Sequence, residues 1–167
     1  ADQVPIAEQI ERLNAVQAAG KTRFIGVSNQ NIAQMRESIE RSAAPIVTNQ
    51  VELHPYLPQQ ALAAAARTEG VAVTAYYSMA DGAVPQDATL QRIGAKHGKS
   101  AAQVGLRWQI QQGHIALSKT ANPARVAENI AVFDFALDDA DMAVIAALAR
   151  PDGRLVSPAG LAPTWDA

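Results

Sequence analysis

The stretch His114 to Ile130 reads H-I-A-L-S-K-T-A-N-P-A-R-V-A-E-N-I. Ile115, Ala116 and Leu117 form a short apolar run of the kind that fills a buried strand, and the run turns polar at Ser118, Lys119 and Thr120. Asn122 is placed to cap a helix that starts at Pro123, a residue that loses nothing there because the first helical amide has no intrahelical partner. Arg125, Glu128 and Asn129 then fall on the first turns at spacings that share a face. One strand exit and one helix N-terminus thus gather a lysine, a hydroxyl, an arginine and backbone N–H groups, the equipment for holding a phosphate. An ordinary capped helix with two surface cations has the same spacing, so the stretch fixes a strand-to-helix unit before it fixes a ligand.

The same unit recurs upstream. Pro5 to Ala19 predicts a helix with Ile6, Ile10, Leu13 and Val16 on one face and Gly20 just past its end. Arg23 to Val27 predicts a strand that ends at Ser28-Asn29, and Asn31 caps a helix running to about Ser42. Ile46 to Leu53 is a second strand, followed by His54-Pro55-Tyr56, and Pro58 opens an alanine-rich helix that stops near Gly70. Val71 to Tyr76 is a third strand, the loop Asp81 to Asp87 follows, and a helix runs from Ala88 to His97. Ser100 and Gln103 have the form of a capping box, and Asp138 caps a last helix that Pro151 ends. Strands alternating with helices, with β-branched residues filling the strands, argue for parallel β/α units. An open doubly wound sheet would satisfy this pattern, but no G-x-G-x-x-G opens a first strand-to-helix turn. Polar strand ends recur instead at Ser28-Asn29, Gln50 to His54, Tyr76-Tyr77 and Ser118-Lys119, as they do at the C-terminal face of a (β/α)8 TIM barrel.

Composition narrows the function classes. The chain has 167 residues and a formal net charge of -2, with no basic footprint for nucleic acid. Cysteine is absent, which excludes disulfides and thiolate metal or redox sites. No apolar run approaches the roughly 20 residues of a membrane span, and no signal-peptide pattern opens the sequence. The expectation is a soluble cytoplasmic protein with neither a nucleic-acid nor a membrane partner. His54, His97 and His114 lack metal-ligand spacing, so no metal is expected. Gly26-Val27-Ser28 begins like a nucleophile elbow, but Gln30 stands where its second glycine should be.

The segments R-F-I-G-V-S-N, N-Q-V-E-L-H-P-Y, V-T-A-Y, A-A-Q-V-G-L-R-W and S-K-T-A-N-P-A-R-V-A-E-N, in that order, strongly resemble aldo-keto reductases. F-D-F-A-L-D-D-A-D-M and the tail R-L-V-S-P-A-G-L-A-P-T-W-D are most like the bacterial 2,5-diketo-D-gluconate reductase (methylglyoxal reductase) branch. The resemblance implies a (β/α)8 barrel that reduces small aldehydes, ketones or keto-sugar acids with NADPH. It implies that residues 1–150 are its second half, strands five to eight with their helices, and that residues 151–167 are an ordered tail. It matches Ser28, Asn29 and Gln50 to the side chains that hold the nicotinamide carboxamide, and Tyr76 to the ring stacked on the nicotinamide. It matches Lys119, Thr120 and Arg125 to the 2′-phosphate site, and Glu128 and Asn129 to the adenine contacts. Trp165, in a tail that family members fold toward the substrate pocket, is a candidate substrate contact.

Two departures qualify this picture. The family's S-P-L after the stacking tyrosine is here Tyr77-Ser78-Met79, which implies a reshaped loop over the pyrophosphate. In the family a tyrosine donates the proton, tuned by a lysine, an aspartate and a histidine of the first half, and no segment here matches them. No catalytic residue is therefore assigned. Tyr56 and His54 are read as structural parts of the H-P-Y turn, His97 as solvent-facing at a helix end, and His114 as surface. Alone the chain is expected to be inactive, pairing with a missing N-terminal half or another copy of itself. A noncatalytic NADP-binding half barrel or self-associating fragment is the alternative.

Overall fold

The computed structural model describes residues 4–166. Its elements, in order, are α1 (Ile6–Ala18), β1 (Ile25–Ser28), α2 (Ile32–Arg41), β2 (Ile46–Glu52), α3 (Gln60–Thr68) and β3 (Ala72–Tyr76). A 3-10 turn (Ala80–Gly82) leads to α4 (Ala83–Gln86), α5 (Ala88–His97), α6 (Ala101–Gln111), β4 (Ile115–Ala116), α7 (Pro123–Ile130) and α8 (Asp139–Ala146). The hydrogen-bonded strand order is β1-β2-β3-β4. A strand order that follows the chain without reversal has no topological switch point, which removes the doubly wound alternative. The expected stretches 1–150 and 151–167 begin and end in residues 1–3 and Ala167, which lie outside the described residues.

The chain forms two compact units. One holds the residues up to Val51, with Gln59–Thr74 and Val156 onward; the other holds Glu52–Pro58 and Ala75–Leu155. In the first unit, Ile10, Ile25 and Ile46 form a buried cluster joined by Ile6, Leu13, Val27 and Ile39. Asn31 caps α2 through a full capping box with Gln34, as its position before the apolar periodicity requires. β1 and β2 pair in parallel, with Ile25 opposite Ile46 but Val27 opposite Asn49, so β2 carries one extra residue between these rungs. Gly26 sits at that irregularity because a Cβ there would lie 2.6 Å from Thr48 Cγ2 and 2.9 Å from Thr48 O.

α3 starts at Gln60, with Gln59 left-handed at φ 51, rather than at Pro58. The cause lies in the preceding turn. His54 and Leu57 exchange backbone hydrogen bonds of 3.3 and 2.8 Å, and this closed H-P-Y-L turn delays the helix.

In the second unit, Asp87 caps α5 by accepting from Thr89 and Leu90, and Ser100 and Gln103 make the expected capping box on α6. Val104, Leu106 and Trp108 of α6 are buried. Within the expected loop Asp81 to Asp87, Asp81 and Gly82 belong to the 3-10 turn with left-handed backbone at φ 54 and 88, and Ala83–Gln86 form α4. β4 corrects a further expectation. It is only two residues long, and Ile115 and Leu117 are 49% and 43% exposed rather than buried, because β4 is the last strand in the order and its far side carries no strand among the described residues.

Among the described residues no helix is long and apolar enough to cross a membrane. Nor do three or more His, Asp or Glu side chains there gather in a group that could hold a metal ion.

Candidate functional site

The extra residue in β2 brings Ser28 opposite Gln50 at the end of the pair. Ser28 Oγ donates to Gln50 O at 2.9 Å, and Asn29 N donates to the same oxygen at 2.9 Å. The backbone then turns sharply, since Asn29 is left-handed at φ 54, a conformation that asparagine tolerates better than most residues. A buried polar set holds this turn. Asn49 Nδ2 donates to Gln30 O at 2.9 Å, and Ser38 Oγ donates to Gln30 Oε1 at 2.8 Å. Asn49, Gln30 and Ser38 are all buried. The sequence signal for these three is the polar pair Asn49-Gln50 in the middle of β2, one residue facing each side. The expected trio Ser28, Asn29 and Gln50 therefore stands together on a braced strand end. Ser28 and Asn29 line a cleft of about 850 Å³ that Leu161 and Pro163 of the tail also line. Trp165 is half-buried on the same tail, its Nε1 donating to Ser157 Oγ at 3.3 Å.

The remaining expected residues belong to the second unit. Tyr76 ends β3, and Tyr77 behind it is left-handed at φ 57, its ring edge-on to Tyr76 with centroids 6.1 Å apart. Ser78 Oγ donates to Gln109 Oε1 at 3.0 Å, and Gln109 Nε2 donates to Leu53 O at 3.1 Å, a buried brace beneath this turn. Tyr76 and Lys119 line one cavity of about 500 Å³ together with Ser78 and Ser118. Thr120 Oγ1 accepts from Asn122 N at 3.1 Å, and Asn122 Oδ1 accepts from Ala124 N at 3.0 Å, which shapes the loop into α7. Thr120 and Asn129 line a neighbouring cavity of about 430 Å³. Asn129 Nδ2 donates to Ser118 Oγ at 2.9 Å. Glu128 accepts from Ser100 Oγ, and Gln103 Nε2 donates to Glu128 O at 3.0 Å. Lys119 and Arg125 are exposed, and neither meets a carboxylate among the described residues.

The buried ionisable groups have structural duties. His54 Nε2 donates to Glu52 Oε1 at 3.0 Å, and the same oxygen accepts from Leu155 N at 2.7 Å; both side chains are fully buried. Arg150 N donates to Tyr56 O at 3.2 Å, and its guanidinium lies 4.7 Å from the Tyr56 ring centroid. Gly153 packs so close that a Cβ would fall 2.0 Å from Tyr56 O. Residues 150–155 are thus stapled to the H-P-Y turn. The Tyr56 hydroxyl donates to Asp87 at 2.9 Å, and burial, followed by that hydrogen bond and the Asp87 charge, pushes its pKa up to about 12. A phenol so committed is a poor proton donor at neutral pH. His97 departs from expectation. Its side chain is only 16% exposed, because Nε2 donates to Asp141 Oδ2 at 2.7 Å and its ring packs on Phe135. His114 is half-buried.

The model of the aldo/keto reductase family matches residues 1–150. The chain is 39% identical over 166 residues to methylglyoxal reductase DkgB of Yersinia pestis, covering 99% of this chain and 62% of that protein. A crystal structure assigned as a 2,5-diketo-D-gluconic acid reductase B superposes with a TM-score of 0.97 at 56% identity, covering 99% of this chain and 59% of that one. A Gox0644 variant solved in complex with NADPH gives a TM-score of 0.86 at 34% identity, covering 90% and 56%. The chain therefore spans about three fifths of the length of the relatives it matches.

Proposed function

The chain belongs to the aldo/keto reductase family, and from that premise we propose that the protein reduces small aldehydes, ketones or keto-sugar acids with NADPH. In this reading the chain supplies most of the cofactor site and none of the proton-donating tetrad. The observation that carries it is the β1–β2 register, which sets Ser28 beside Gln50 and turns Asn29 out of the strand. Ser28 spends its proton on Gln50 O and so offers lone pairs, while the Gln50 amide offers both donors and an acceptor. A carboxamide needs that mixture. Bound NADPH supplies the hydride; the chain's part is to grip and orient it. Tyr76 presents a ring at the cavity it shares with Lys119. Lys119, Arg125 and the Thr120 hydroxyl answer the 2′-phosphate, with the arginine fork matched to phosphate oxygens. Glu128 and Asn129, held by Ser100 and Ser118, answer the adenine. Trp165 lines the substrate side.

A second reading has the chain as a noncatalytic NADP-binding half barrel that associates with itself or with an N-terminal half. The exposed Ile115 and Leu117 at the terminal strand favour it. NADPH oxidation with a small aldehyde separates the two, measured on the chain alone and with its complementary half. Turnover that requires the complementary half supports the reductase. Saturable NADPH binding with no turnover in either preparation supports the second reading and sinks the first.

A further inference from the structure

We propose that Asp166 is a positioning residue that latches the C-terminal tail onto the N-terminus of α2 and thereby sets the wall of the cleft beside Ser28 and Asn29. Asp166 Oδ2 accepts from Ile32 N at 2.9 Å, across 134 positions of sequence. Ile32 is the first residue of α2, so this amide is one of those no helical carbonyl can satisfy. A carboxylate there gains both a charge-assisted hydrogen bond and the favourable end of the helix dipole.

Asn31 supplies the second clasp. Its Oδ1 accepts from Gln34 N at 2.8 Å, which is the ordinary capping role, while its Nδ2 donates to Thr164 O at 2.9 Å. Serine or aspartate would cap the helix equally well but would have no N–H to reach the tail. The tail is organised to be held at this point. Leu161 N and Ala162 N both donate to Pro158 O, at 3.1 and 3.0 Å, and Trp165 Nε1 reaches back to Ser157 Oγ. A closed loop with both clasps at its far end moves as one piece. Leu161 and Pro163, inside that piece, line the same cleft as Ser28 and Asn29. The consequence for function rests on the cofactor reading above: releasing the latch opens the side of the cleft from which the nicotinamide end of NADPH would leave.

Three variants separate the latch from a general loss of structure. Asp166→Ala removes the acceptor, and Asp166→Asn keeps an acceptor oxygen without the charge. Asn31→Asp keeps the helix cap, removes the donor to Thr164 and sets a second carboxylate beside Asp166. Amide exchange is read by NMR at Ile32 and Gln34, and NADPH release is read by stopped flow. The expectation is exchange at Ile32 faster by about tenfold in Asp166→Ala and Asn31→Asp, the factor carried by one lost charge-assisted hydrogen bond. Gln34 should stay protected, Asp166→Asn should fall between, and NADPH should leave several-fold faster from the two undocked variants. Unchanged Ile32 exchange in Asp166→Ala overturns the latch, as does equal loss of protection at Gln34. Lost Ile32 protection with unchanged NADPH release overturns the positioning role. A parent chain that binds no NADPH counts against the cofactor reading instead, and Ile32 exchange still decides the latch.

Discussion

The Asp141 carboxylate accepts from His97 Nε2 at 2.7 Å and from Lys96 Nζ at 3.0 Å, and its Oδ2 also takes the Asp138 amide at 3.4 Å. Burial pushes this acid up, but the hydrogen bonds from His97 and Lys96 outweigh it and hold its pKa below the usual carboxylate value. Asp138 is lowered as well, first by its hydrogen bond from Lys96, and Lys96 is raised, first by Asp138 and then by Asp141. The sign follows from linkage. A depressed carboxyl contributes stability that is present above its unfolded pKa of about 3.9 and is lost as pH falls through the folded value. The share of Lys96 is present below about 10.4 and is lost as pH rises beyond it. Asp141→Asn should therefore lower the melting temperature at pH 7 by about 2–4 °C per kcal/mol lost. That gap should close as pH drops through the carboxylate range; a gap independent of pH contradicts the account. Asp138 as a cap was legible in the sequence, but the grip on His97 was not. A histidine at a helix end reads as solvent-facing until another helix sets a carboxylate against it, and that pairing lies 44 positions away.

β1 and β2 were legible as strands, yet their register was not, because the period of alternating side chains says nothing about an added residue in one partner. That residue decides whether Ser28 meets Gln50. Gly26→Ala tests it directly, since the new methyl group would press on Thr48 and the pair would have to slip or spread. Overpacking of this kind costs about 1–3 kcal/mol. Chemical denaturation should show a loss of that size, with weaker NADPH binding by the folded fraction. Full stability would mean that the register is not held as described. α3 and β4 teach the same lesson from the other side. Their composition predicts a helix and an apolar strand and both form, but the H-P-Y-L turn postpones one and the sheet's end exposes the other. The cap signatures at Asn31, Ser100, Asn122 and Asp138 all formed as the sequence implies, because a cap is satisfied within a few residues of itself.

Across the whole chain, what the sequence conveys best is the recurrence of one β/α unit with polar strand ends, which carries the fold, while the family rests on the resemblance of particular segments such as R-F-I-G-V-S-N and S-K-T-A-N-P-A-R. What it conveyed least was how the tail is held, since Asp166 and Ile32 meet only once the chain has folded. Within the second unit Val126, Ile130 and Phe133 are 54%, 69% and 68% exposed, and Ile115 and Leu117 at the terminal strand are exposed as well. Apolar surface of that extent next to a terminal strand favours a partner. Sedimentation of the isolated chain should give a mass above 17.6 kDa that falls when Ile130 and Phe133 are changed to serine; a strict monomer would argue against pairing. The most direct test of the central claim is a paired titration of NADPH and NADH into the chain and into its Lys119→Ala and Arg125→Ala variants. The account predicts tighter binding of NADPH by the parent, with each variant losing about tenfold for NADPH, the order of one charge-assisted contact, and little for NADH. Equal affinity for the two dinucleotides, unchanged in both variants, would contradict it.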